Sequence, residues 1–393
     1  MKSFQIPEYY KSPLIADIKE KRKREDPRKQ DFSPSFINFG NVRFYLARHF
    51  GFCYGVENAI EIAYKALHEN EGKRIFLLSQ MIHNPEVNAD LEANGIKFIM
   101  DTEGNHFVQW NELKTDDVVV IPAFGTTLEI EKLLADKGIQ TEKYNTTCPF
   151  VEKVWNRAQK LGNEKYTILI HGKAKHEETR ATFSHSNRYS HSVVLRDMKE
   201  AEMLAAYIKG TKPADQFYEE FKGRFSEGFN VDKDLQKVGV INQTTMLATE
   251  TQAIADFFKQ TMKEKYGEPD LKNHFADTRD TLCYATNDNQ EATLALMDVE
   301  ADIAIVVGGY NSSNTSHLVE LLEQKFKTFF IKNETEIGDD NSINHFDYPN
   351  KKMVHTGGFI GDKRPFTIIL TSGASCPDAV MERVMLKLKK KFE

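Results

Sequence analysis

A short hydrophobic run, followed by a small polar loop and then by an amphipathic helical pattern, recurs along this chain. The runs are rich in β-branched and aromatic residues, which favours buried strands joined by helices. They are Val42–Ala47, Arg74–Leu78, Val118–Pro122, Tyr166–Ile170, Val238–Ile241, Ile303–Val307 and Phe366–Leu370. This repetition predicts an α/β fold of mostly parallel sheets with helices on both faces, in which ligands bind beyond the carboxyl ends of the strands.

The length of the chain predicts more than one domain. It has 393 residues, of which 40% are hydrophobic, and this is enough for two or three compact cores. We expect three similar doubly wound units at 42–148, 149–282 and 283–393, after an N-terminal extension at 1–41. The middle unit carries the excess length as a charged, partly helical insertion at about 205–237.

Composition excludes several classes of protein. A net charge of −6 and a pI near 6.1 give no overall basic field for nucleic acid. The charged run Lys19–Asp26 mixes both signs, so a solvated helix or tail is its simplest interpretation. Four cysteines and no apolar run long enough to cross a bilayer favour a reducing cytoplasm and no membrane partner. The acidic residues within 1–40 are unlike an organellar transit peptide.

Three cysteines each stand where a predicted strand runs into the first turn of a helix: Cys53, Cys148 and Cys283. A helix N-terminus favours negative charge and lowers a thiol pKa, so three such thiolates brought together form a strong ligand set for a soft metal centre. Three thiolates also leave one iron of an iron–sulfur cube open for substrate. A sparse cysteine is more often a small buried hydrophobe. Separations of 95 and 135 residues give no support to a local zinc or thioredoxin motif.

Three polar loops offer hydroxyls, amides and backbone N–H groups at the start of a helix: Asn242–Thr245, Asn311–Ser316 and Thr371–Ser375. Such donors bind anionic phosphate. None of these loops contains Lys or Arg, so a diphosphate is expected to be held by neutral donors, with His83 or His176 assisting. Any one loop alone is adequately explained as a helix N-cap.

From about Val42 to Val384 the chain resembles the 4-hydroxy-3-methylbut-2-enyl diphosphate reductase family, also called IspH or LytB. Eight motifs in the family's order carry the resemblance. They are Gly51-Phe-Cys-Tyr-Gly-Val56, Ile82-His-Asn-Pro85, Thr146-Thr-Cys-Pro149, His176-Glu-Glu178, Gln243-Thr-Thr245, Cys283-Tyr-Ala-Thr286, Asn311-Ser-Ser-Asn314 and Ser372-Gly-Ala-Ser375. Eight ordered motifs are far more specific than any one of them.

The resemblance implies three α/β units arranged pseudo-symmetrically around one central 4Fe–4S cluster, which three cysteines bind and whose apical iron is open. The implied cluster ligands are Cys53, Cys148 and Cys283. The implied catalytic residues are Glu178, as general acid, and Thr244. The implied substrate-binding residues are His83, His176, Thr245, Ser312, Ser313, Asn314 and Ser375.

The reaction that the resemblance implies is a reductive dehydroxylation of 4-hydroxy-3-methylbut-2-enyl diphosphate to isopentenyl and dimethylallyl diphosphate. This is the last step of the non-mevalonate (MEP) isoprenoid pathway, with a ferredoxin or flavodoxin as the electron donor. Two alternatives stay open: a non-catalytic cluster-bearing sensor or binding protein, and a redox-neutral iron–sulfur hydro-lyase that consumes no electrons. For Glu178 the alternative is an acidic residue that merely suits a helix first turn.

Two positions depart from the family pattern. Many bacterial members have a second diphosphate-facing histidine in the segment that here reads Pro122-Ala-Phe-Gly125, so Phe124 removes one donor. The plant and cyanobacterial branch is similar to this chain there, and it shares the spacing of His171–Glu178 and an N-terminal extension. Cys376 could serve as a fourth ligand, but we expect it not to, because ligation would close the open iron.

Overall fold

The structure is a computed structural model that describes residues 4–276, 278 and 281–393. The chain divides into two compact units. The first unit comprises the residues up to Tyr64, together with Ile82–Leu91 and Tyr284–Glu393. The second unit comprises Lys65–Met81 and Glu92–Cys283.

Every hydrophobic run predicted from the sequence forms a strand. The strands are β1 (Ser35–Asn38), β2 (Val42–Leu46), β3 (Ile75–Leu77), β4 (Ile96–Phe98), β5 (Val118–Val120), β6 (Thr167–His171), β7 (Ser192–Leu195), β8 (Val238–Asn242), β9 (Phe275–Ala276), β10 (Ile303–Val307), β11 (Thr328–Ile331), β12 (Ser342–Asp347), β13 (Lys352–Gly357) and β14 (Phe366–Ser372).

The α-helices connect these strands and cover the sheets. They are α1 (Pro13–Glu25), α2 (Tyr54–Glu69), α3 (Pro85–Ala93), α4 (Leu128–Asp136), α5 (Pro149–Asn163), α6 (Glu177–Asn187), α7 (Met198–Ile208), α8 (Ala214–Glu220), α9 (Val231–Asp234), α10 (Ala248–Tyr266), α11 (Leu271–His274), α12 (Tyr284–Ala295), α13 (Ser313–Leu322) and α14 (Asp378–Lys390).

The first unit is built on a sheet in the order β1-β2-β14-β10-β11. Strands β2, β14, β10 and β11 are parallel, and β1 is antiparallel to β2. Every residue of β10 and of β14 is buried, as expected for parallel strands that are covered on both faces. Strands β12 and β13 form a separate antiparallel pair.

The second unit contains two parallel sheets. One has the order β4-β3-β5 and the other has the order β7-β6-β8-β9. In each sheet the strand that comes first in the chain, β3 or β6, lies between two later strands. Helical crossover connections produce this arrangement. The predicted α/β class with mostly parallel sheets is therefore confirmed.

Each parallel sheet takes most of its strands from one of the predicted segments 42–148, 149–282 and 283–393. The exceptions are β1, from the predicted extension, and β2, from the first segment, which pairs with β14 so that Val42 lies opposite Phe366. The described part of the predicted extension is folded, because it contains α1 and β1 and buries Ile15 completely. Over the residues that the structure describes, no helix combines the length and the apolar character needed to cross a membrane.

The segment predicted as a charged insertion contributes to the core of the second unit. It overlaps the end of α7 and contains α8 and α9. The ring of Phe217 is buried and stacks on Phe221 at 5.0 Å and on Phe229 at 5.1 Å between ring centres. Besides its charged residues, this segment therefore contains a buried aromatic cluster that the sequence interpretation did not identify.

Candidate active site

In the second unit, the polar loop after β6 ends in the first turn of α6. His176 is the N-cap of this helix, and its Nδ1 accepts a hydrogen bond from the Glu178 backbone N–H at 3.2 Å. A neutral imidazole that accepts at Nδ1 carries its proton on Nε2, so the other ring nitrogen is a donor. The same turn therefore presents a histidine N–H and two glutamates, Glu177 and Glu178.

The carboxylate of Glu178 is held at both oxygens by Thr244, which follows β8. The Thr244 backbone N–H donates to Oε1 at 2.6 Å, and the Thr244 hydroxyl donates to Oε2 at 3.0 Å. Glu178 is 1% exposed, and burial raises its pKa to about 7 although both hydrogen bonds from Thr244 lower it. Desolvation outweighs the two hydrogen bonds, and the result is a carboxyl group that can hold or release a proton near neutral pH.

Glu177 has a different environment from its neighbour. Its carboxylate accepts a hydrogen bond from the Ser79 hydroxyl, and burial raises its pKa to about 7 as well. The bond from Ser79 lowers the pKa by less than burial raises it. The two glutamates are thus alike in burial and pKa but contact different parts of the second unit, which makes them a matched pair for mutagenesis.

Gln243 organises the loop after β8. Its side-chain oxygen accepts from the Thr179 hydroxyl at 3.0 Å and from the Lys173 backbone N–H at 3.2 Å. Its amide nitrogen donates to the Thr245 hydroxyl at 2.8 Å. Gln243 is fully buried, so these bonds satisfy a polar side chain that is costly to bury alone. Gln243 therefore links Thr245, one of the predicted site residues, to Thr179 in α6.

Cys283 and Cys148 also belong to the second unit, and both are half-buried. The Cys283 backbone N–H donates to the Thr244 carbonyl at 3.2 Å, which ties this cysteine to the loop that holds Glu178. Cys148 is the N-cap of α5, and its own N–H donates to the Ala123 carbonyl at 3.0 Å. The Cys148 thiol interacts electrostatically with Cys283 and with Glu178, so these side chains lie in the same region of the second unit.

The expectation that a helix N-terminus lowers the thiol pKa is wrong for Cys148. Burial is the largest influence and raises its pKa to about 11, and the charges of Cys283 and Glu178 act in the same direction. The backbone N–H groups of Phe150 and Val151 lower the pKa, but by less. A thiol in this state loses its proton when it binds a metal, so metal affinity depends on pH.

Phe124 lies beside His176. Many bacterial members of the family that this chain resembles have a histidine in the segment that contains Phe124. The two rings meet edge to face, with 5.5 Å between their centres. The phenyl ring supplies a contact that orients the imidazole but no hydrogen-bond donor. This arrangement agrees with the sequence interpretation that Phe124 removes one hydrogen-bond donor.

In the first unit, the loop after β10 leads into α13. Ser312 is the N-cap of this helix, and its hydroxyl oxygen accepts from the Thr315 backbone N–H at 3.3 Å. Ser313 begins the helix, and both serines are buried. The buried start of a helix with several hydroxyl groups is a suitable environment for an anion, because the N-terminus of a helix favours negative charge.

The Asn314 side chain joins three segments of the first unit. Its Oδ1 accepts from the Ala374 backbone N–H at 2.9 Å and from Asn289 Nδ2 at 3.2 Å. Its Nδ2 donates to the Thr286 hydroxyl at 3.4 Å. The amide therefore positions the loop after β14, which carries Ser375, in addition to any contact that it makes with a ligand.

His83 lies against the same loops. The Asn311 side-chain N–H donates to His83 Nδ1 at 3.1 Å, so this neutral histidine also carries its proton on Nε2. The Ser375 hydroxyl donates to the His83 carbonyl at 3.2 Å. Gly309 permits this approach, because a Cβ there would stand 2.2 Å from the His83 carbonyl oxygen. The structure thus brings His83, Asn311 and Ser375 together in the first unit.

The two cysteines of the first unit differ in their surroundings. Cys53 is half-buried just before α2, and its N–H donates to the Ala374 carbonyl at 3.2 Å. Cys376 is completely buried in the hydrophobic core, and burial raises the pKa of its thiol. A thiol enclosed by apolar side chains is a poor ligand for a centre that must meet substrate. This environment supports the prediction that Cys376 is not a ligand.

The donor set suits an iron–sulfur cluster in type and exposure. Cys53, Cys148 and Cys283 are all half-buried, and each lies at or next to the start of a helix. Considered separately and over the described residues, neither unit contains three His, Cys, Asp or Glu side chains grouped to hold a metal ion. Cys53 lies in the first unit, and Cys148 and Cys283 lie in the second.

Several residues that shape the site were not assigned a role from the sequence. They are Thr286, Asn289, Asn311, Gln243 and Ser79. Thr286, Asn289, Gln243 and Ser79 are buried polar residues within or next to a helix or strand, as for Asn289 within α12, whereas Asn311 is exposed. A buried amide or hydroxyl requires a hydrogen-bond partner, so such positions indicate polar neighbours.

Comparison with known proteins agrees with the resemblance drawn from the motifs. A model of the LytB protein family matches residues 44–389. The 4-hydroxy-3-methylbut-2-enyl diphosphate reductase of Synechococcus sp. (strain WH7803) is 38% identical over 380 residues, which cover 96% of this chain and 90% of the relative. The enzyme of the same name from Synechococcus sp. (strain CC9311) is 40% identical over 353 residues, which cover 90% of this chain and 86% of the relative.

Solved structures agree with the fold. The E-1-hydroxy-2-methyl-but-2-enyl-4-diphosphate reductase of Plasmodium falciparum superposes with a TM-score of 0.61 at 22% identity, covering 87% of this chain and 86% of that chain. A second structure, of (E)-4-hydroxy-3-methyl-but-2-enyl diphosphate reductase, superposes with a TM-score of 0.51 at 23% identity, covering 88% of this chain and 98% of that chain. The family match and the cyanobacterial relatives confirm the resemblance, and the chain belongs to the LytB family, to which the 4-hydroxy-3-methylbut-2-enyl diphosphate reductases belong.

Proposed function

We propose that this protein is a 4-hydroxy-3-methylbut-2-enyl diphosphate reductase, which converts that substrate to isopentenyl and dimethylallyl diphosphate in the last step of the non-mevalonate pathway. Relatives with this activity in their names align with nearly the whole chain at 38–40% identity. The observation that carries the proposal is the buried Glu178 carboxyl group, which Thr244 holds at both oxygens close to Cys148 and Cys283.

The proposed cofactor is one 4Fe–4S cluster bound by Cys53, Cys148 and Cys283, with one iron open. Three half-buried thiols at helix starts support this assignment, and the enclosed position of Cys376 leaves the set at three. When bound, such a cluster supplies a Lewis-acidic iron and single-electron transfer. The protein's contribution is to hold the thiols and the substrate and to manage the proton.

Glu178 is proposed as the general acid. Removal of the substrate hydroxyl as water needs a proton at the leaving oxygen, and the whole conversion of C–OH to C–H consumes two electrons and two protons. A carboxyl group whose pKa is about 7 is protonated in a large fraction of molecules at neutral pH. After it gives up the proton, the N–H and O–H of Thr244 stabilise the carboxylate.

The diphosphate is proposed to bind mainly to neutral donors. His83 and His176 both accept a hydrogen bond at Nδ1 and therefore offer an Nε2–H. The other proposed donors to the diphosphate are backbone N–H groups at helix starts and four side-chain hydroxyl groups. These hydroxyls belong to Thr245, Ser312, Ser313 and Ser375. Asn314 is proposed to act mainly by positioning Ala374 and Ser375, since its Oδ1 already accepts two hydrogen bonds.

The proposed electron donor is a ferredoxin or a flavodoxin, because two electrons must arrive singly from a low-potential carrier. The proposed location is a reducing cytoplasm, which keeps cysteine thiols available for the cluster. An anaerobic assay of the purified protein with the diphosphate substrate and a low-potential reductant tests the function. The proposal requires two electrons consumed per product; turnover without electron consumption favours a hydro-lyase, and no turnover favours a sensor.

The first prediction concerns the cluster ligands. Cys53→Ser, Cys148→Ser and Cys283→Ser are each expected to lose most of the iron and sulfide, because one missing thiolate removes a third of the protein ligands. Cys376→Ser is the control and should retain the cluster. Iron and sulfide analysis after anaerobic purification, with visible absorption, measures this. Full retention in any of the first three variants removes that cysteine from the ligand set.

The second prediction uses the matched pair of buried glutamates. Glu178→Gln keeps the size, and its amide oxygen can accept the Thr244 N–H while its amide nitrogen donates to the Thr244 hydroxyl, but it has no carboxylic proton to give. Its turnover should fall by about 10²-fold to 10⁴-fold, the usual contribution of a positioned general acid. Glu177→Gln should retain most of its activity, because its carboxylate contacts Ser79 instead. Comparable turnover in the two variants contradicts the assignment.

The pH dependence of the wild-type enzyme follows from the same group. Glu178 acts as an acid only when it is protonated, and burial raises its pKa to about 7. The value of kcat/KM should therefore decline as pH rises through about 7. This decline should be absent from the residual activity of Glu178→Gln and present in Glu177→Gln. A decline of the same midpoint in both variants assigns the titration to another group.

The third prediction concerns the loop that Asn314 positions. Asn314→Ala removes one hydrogen bond each from the Ala374 N–H, the Asn289 amide and the Thr286 hydroxyl, at a cost of about 1–3 kcal/mol. The KM for the diphosphate should rise by about 10-fold to 100-fold. The dephosphorylated alcohol should be a poor substrate of the wild type, and its turnover should be affected little by this substitution. An unchanged KM for the diphosphate, with the cluster content of the wild type, contradicts a role in diphosphate binding.

A further inference from the structure

The N-terminal segment of the first unit lies against the loop that carries Cys53. Residues on both sides of this cysteine contact the first 32 residues of the chain. The ring of His49 contacts Phe32 at 5.6 Å, and the ring of Phe52 contacts Tyr10 at 5.7 Å, between ring centres. The ring of Tyr54 contacts Phe4 at 5.0 Å. The extension is therefore in contact with the cysteine loop along its length.

An ion pair at the centre of this contact links α1 to α14. Lys19 Nζ lies 2.7 Å and 2.9 Å from the two carboxylate oxygens of Asp378. The same ammonium lies 4.6 Å from the centre of the Phe50 ring. Both side chains are only partly exposed, at 33% for Lys19 and 21% for Asp378. The pair is thus shielded more than a typical surface ion pair.

The backbone at Gly51 lies directly on this ion pair. Gly51 has φ +82°, and a Cβ there would stand 2.3 Å from Asp378 Oδ1 and 2.9 Å from Lys19 Nζ. Only glycine combines this conformation with so close an approach. Two residues before Cys53, the chain therefore follows a path that the Lys19–Asp378 pair defines.

The part of the N-terminal segment that precedes α1 is held by contacts that do not involve the ion pair. Tyr9 and Tyr10 both donate to Asp90 Oδ2, at 2.7 Å and 2.5 Å. Tyr10 is 4% exposed, and it is the residue that contacts Phe52. Because α1 starts three residues after Tyr10, the anchored tyrosines and Lys19 hold the cysteine loop from two sides.

We propose that Lys19 and Asp378 are positioning residues for Cys53, which hold its loop in the conformation that presents the thiol for cluster binding. The ligand role of Cys53 rests on the proposed function, whereas the fixation of its loop does not. The extension is then part of the cluster-binding architecture of this chain. Loss of the pair should loosen the loop without unfolding the first unit, since the tyrosine anchors remain.

Alkylation of the apoprotein tests the fixation of the loop. Iodoacetamide labelling followed by peptide mass spectrometry gives the rate at Cys53, with Cys148 and Cys283 of the same sample as internal references. In Lys19→Met, the Cys53 rate should rise by about fivefold relative to these references, the factor that corresponds to an interaction of about 1 kcal/mol. Removing a cation disfavours the reactive thiolate, so the electrostatic effect alone would slow labelling.

Two further variants separate the ion pair from general effects of the helix. Lys19→Arg keeps the charge and should remain within about twofold of the wild type. Lys21→Met removes a cation from an exposed position of the same helix, 72% exposed, and should leave the rate unchanged. Hydrogen exchange of peptides covering 49–54 gives a second measure in case labelling is limited by access. In Lys19→Met, exchange should be faster than in the wild type for the peptides covering 49–54 and unchanged for peptides from β14.

The cluster-loaded protein tests the second half of the proposal. Cluster loss to an iron chelator, followed by visible absorption, should be about fivefold faster in Lys19→Met and unchanged in Lys21→Met. Unchanged labelling and exchange at the loop overturn the proposal. Faster labelling with unchanged cluster loss overturns the role in cluster binding. That second result differs from failure of the proposed function, in which Cys53→Ser itself retains its cluster.

Discussion

The contact between the Glu178 carboxylate and Thr244 is the interaction on which the chemistry of the second unit depends. It joins the first turn of α6 to the loop after β8, and the Thr244 carbonyl in turn accepts from the backbone of Cys283. The acid and one proposed cluster ligand are therefore fixed by a single residue. Burial sets the acid strength, because desolvation raises the pKa to about 7 against the effect of both hydrogen bonds.

In the first unit, too, one buried polar side chain holds several loops together by hydrogen bonds, but here the side chain is an amide instead of a carboxylate. Asn314 connects α12, α13 and the loop after β14, and Asn311 sets the tautomer of His83. A buried polar group without a partner costs about 1–3 kcal/mol, so these networks specify one arrangement of the loops. In both units, several residues proposed to meet substrate are held by other polar side chains, such as Thr244 for Glu178 and Asn311 for His83. The lysine–aspartate pair beside Gly51 extends this pattern to the first helix.

The sequence was sufficient to predict the repeated strand–helix elements of the fold and the polar motifs that follow several strands. All predicted hydrophobic runs became strands, whereas β1, β4, β7, β9, β11 and the β12–β13 pair were not predicted. Pairing of β2 with β14 depends on contacts distant in sequence, which local pattern does not encode. The pKa of Cys148 was predicted in the wrong direction, because a helix start is visible in sequence but burial is not. The different partners of Glu177 and Glu178 likewise required the three-dimensional structure.

The central claim is that three cysteines of this chain hold a cluster with one iron open to the substrate. Mössbauer spectroscopy of the anaerobically purified wild-type protein, with and without the diphosphate substrate, tests it most directly. The account predicts one iron site distinct from the other three, with parameters that change when substrate is added. Four equivalent iron sites that do not respond to substrate would contradict the account and indicate an electron carrier.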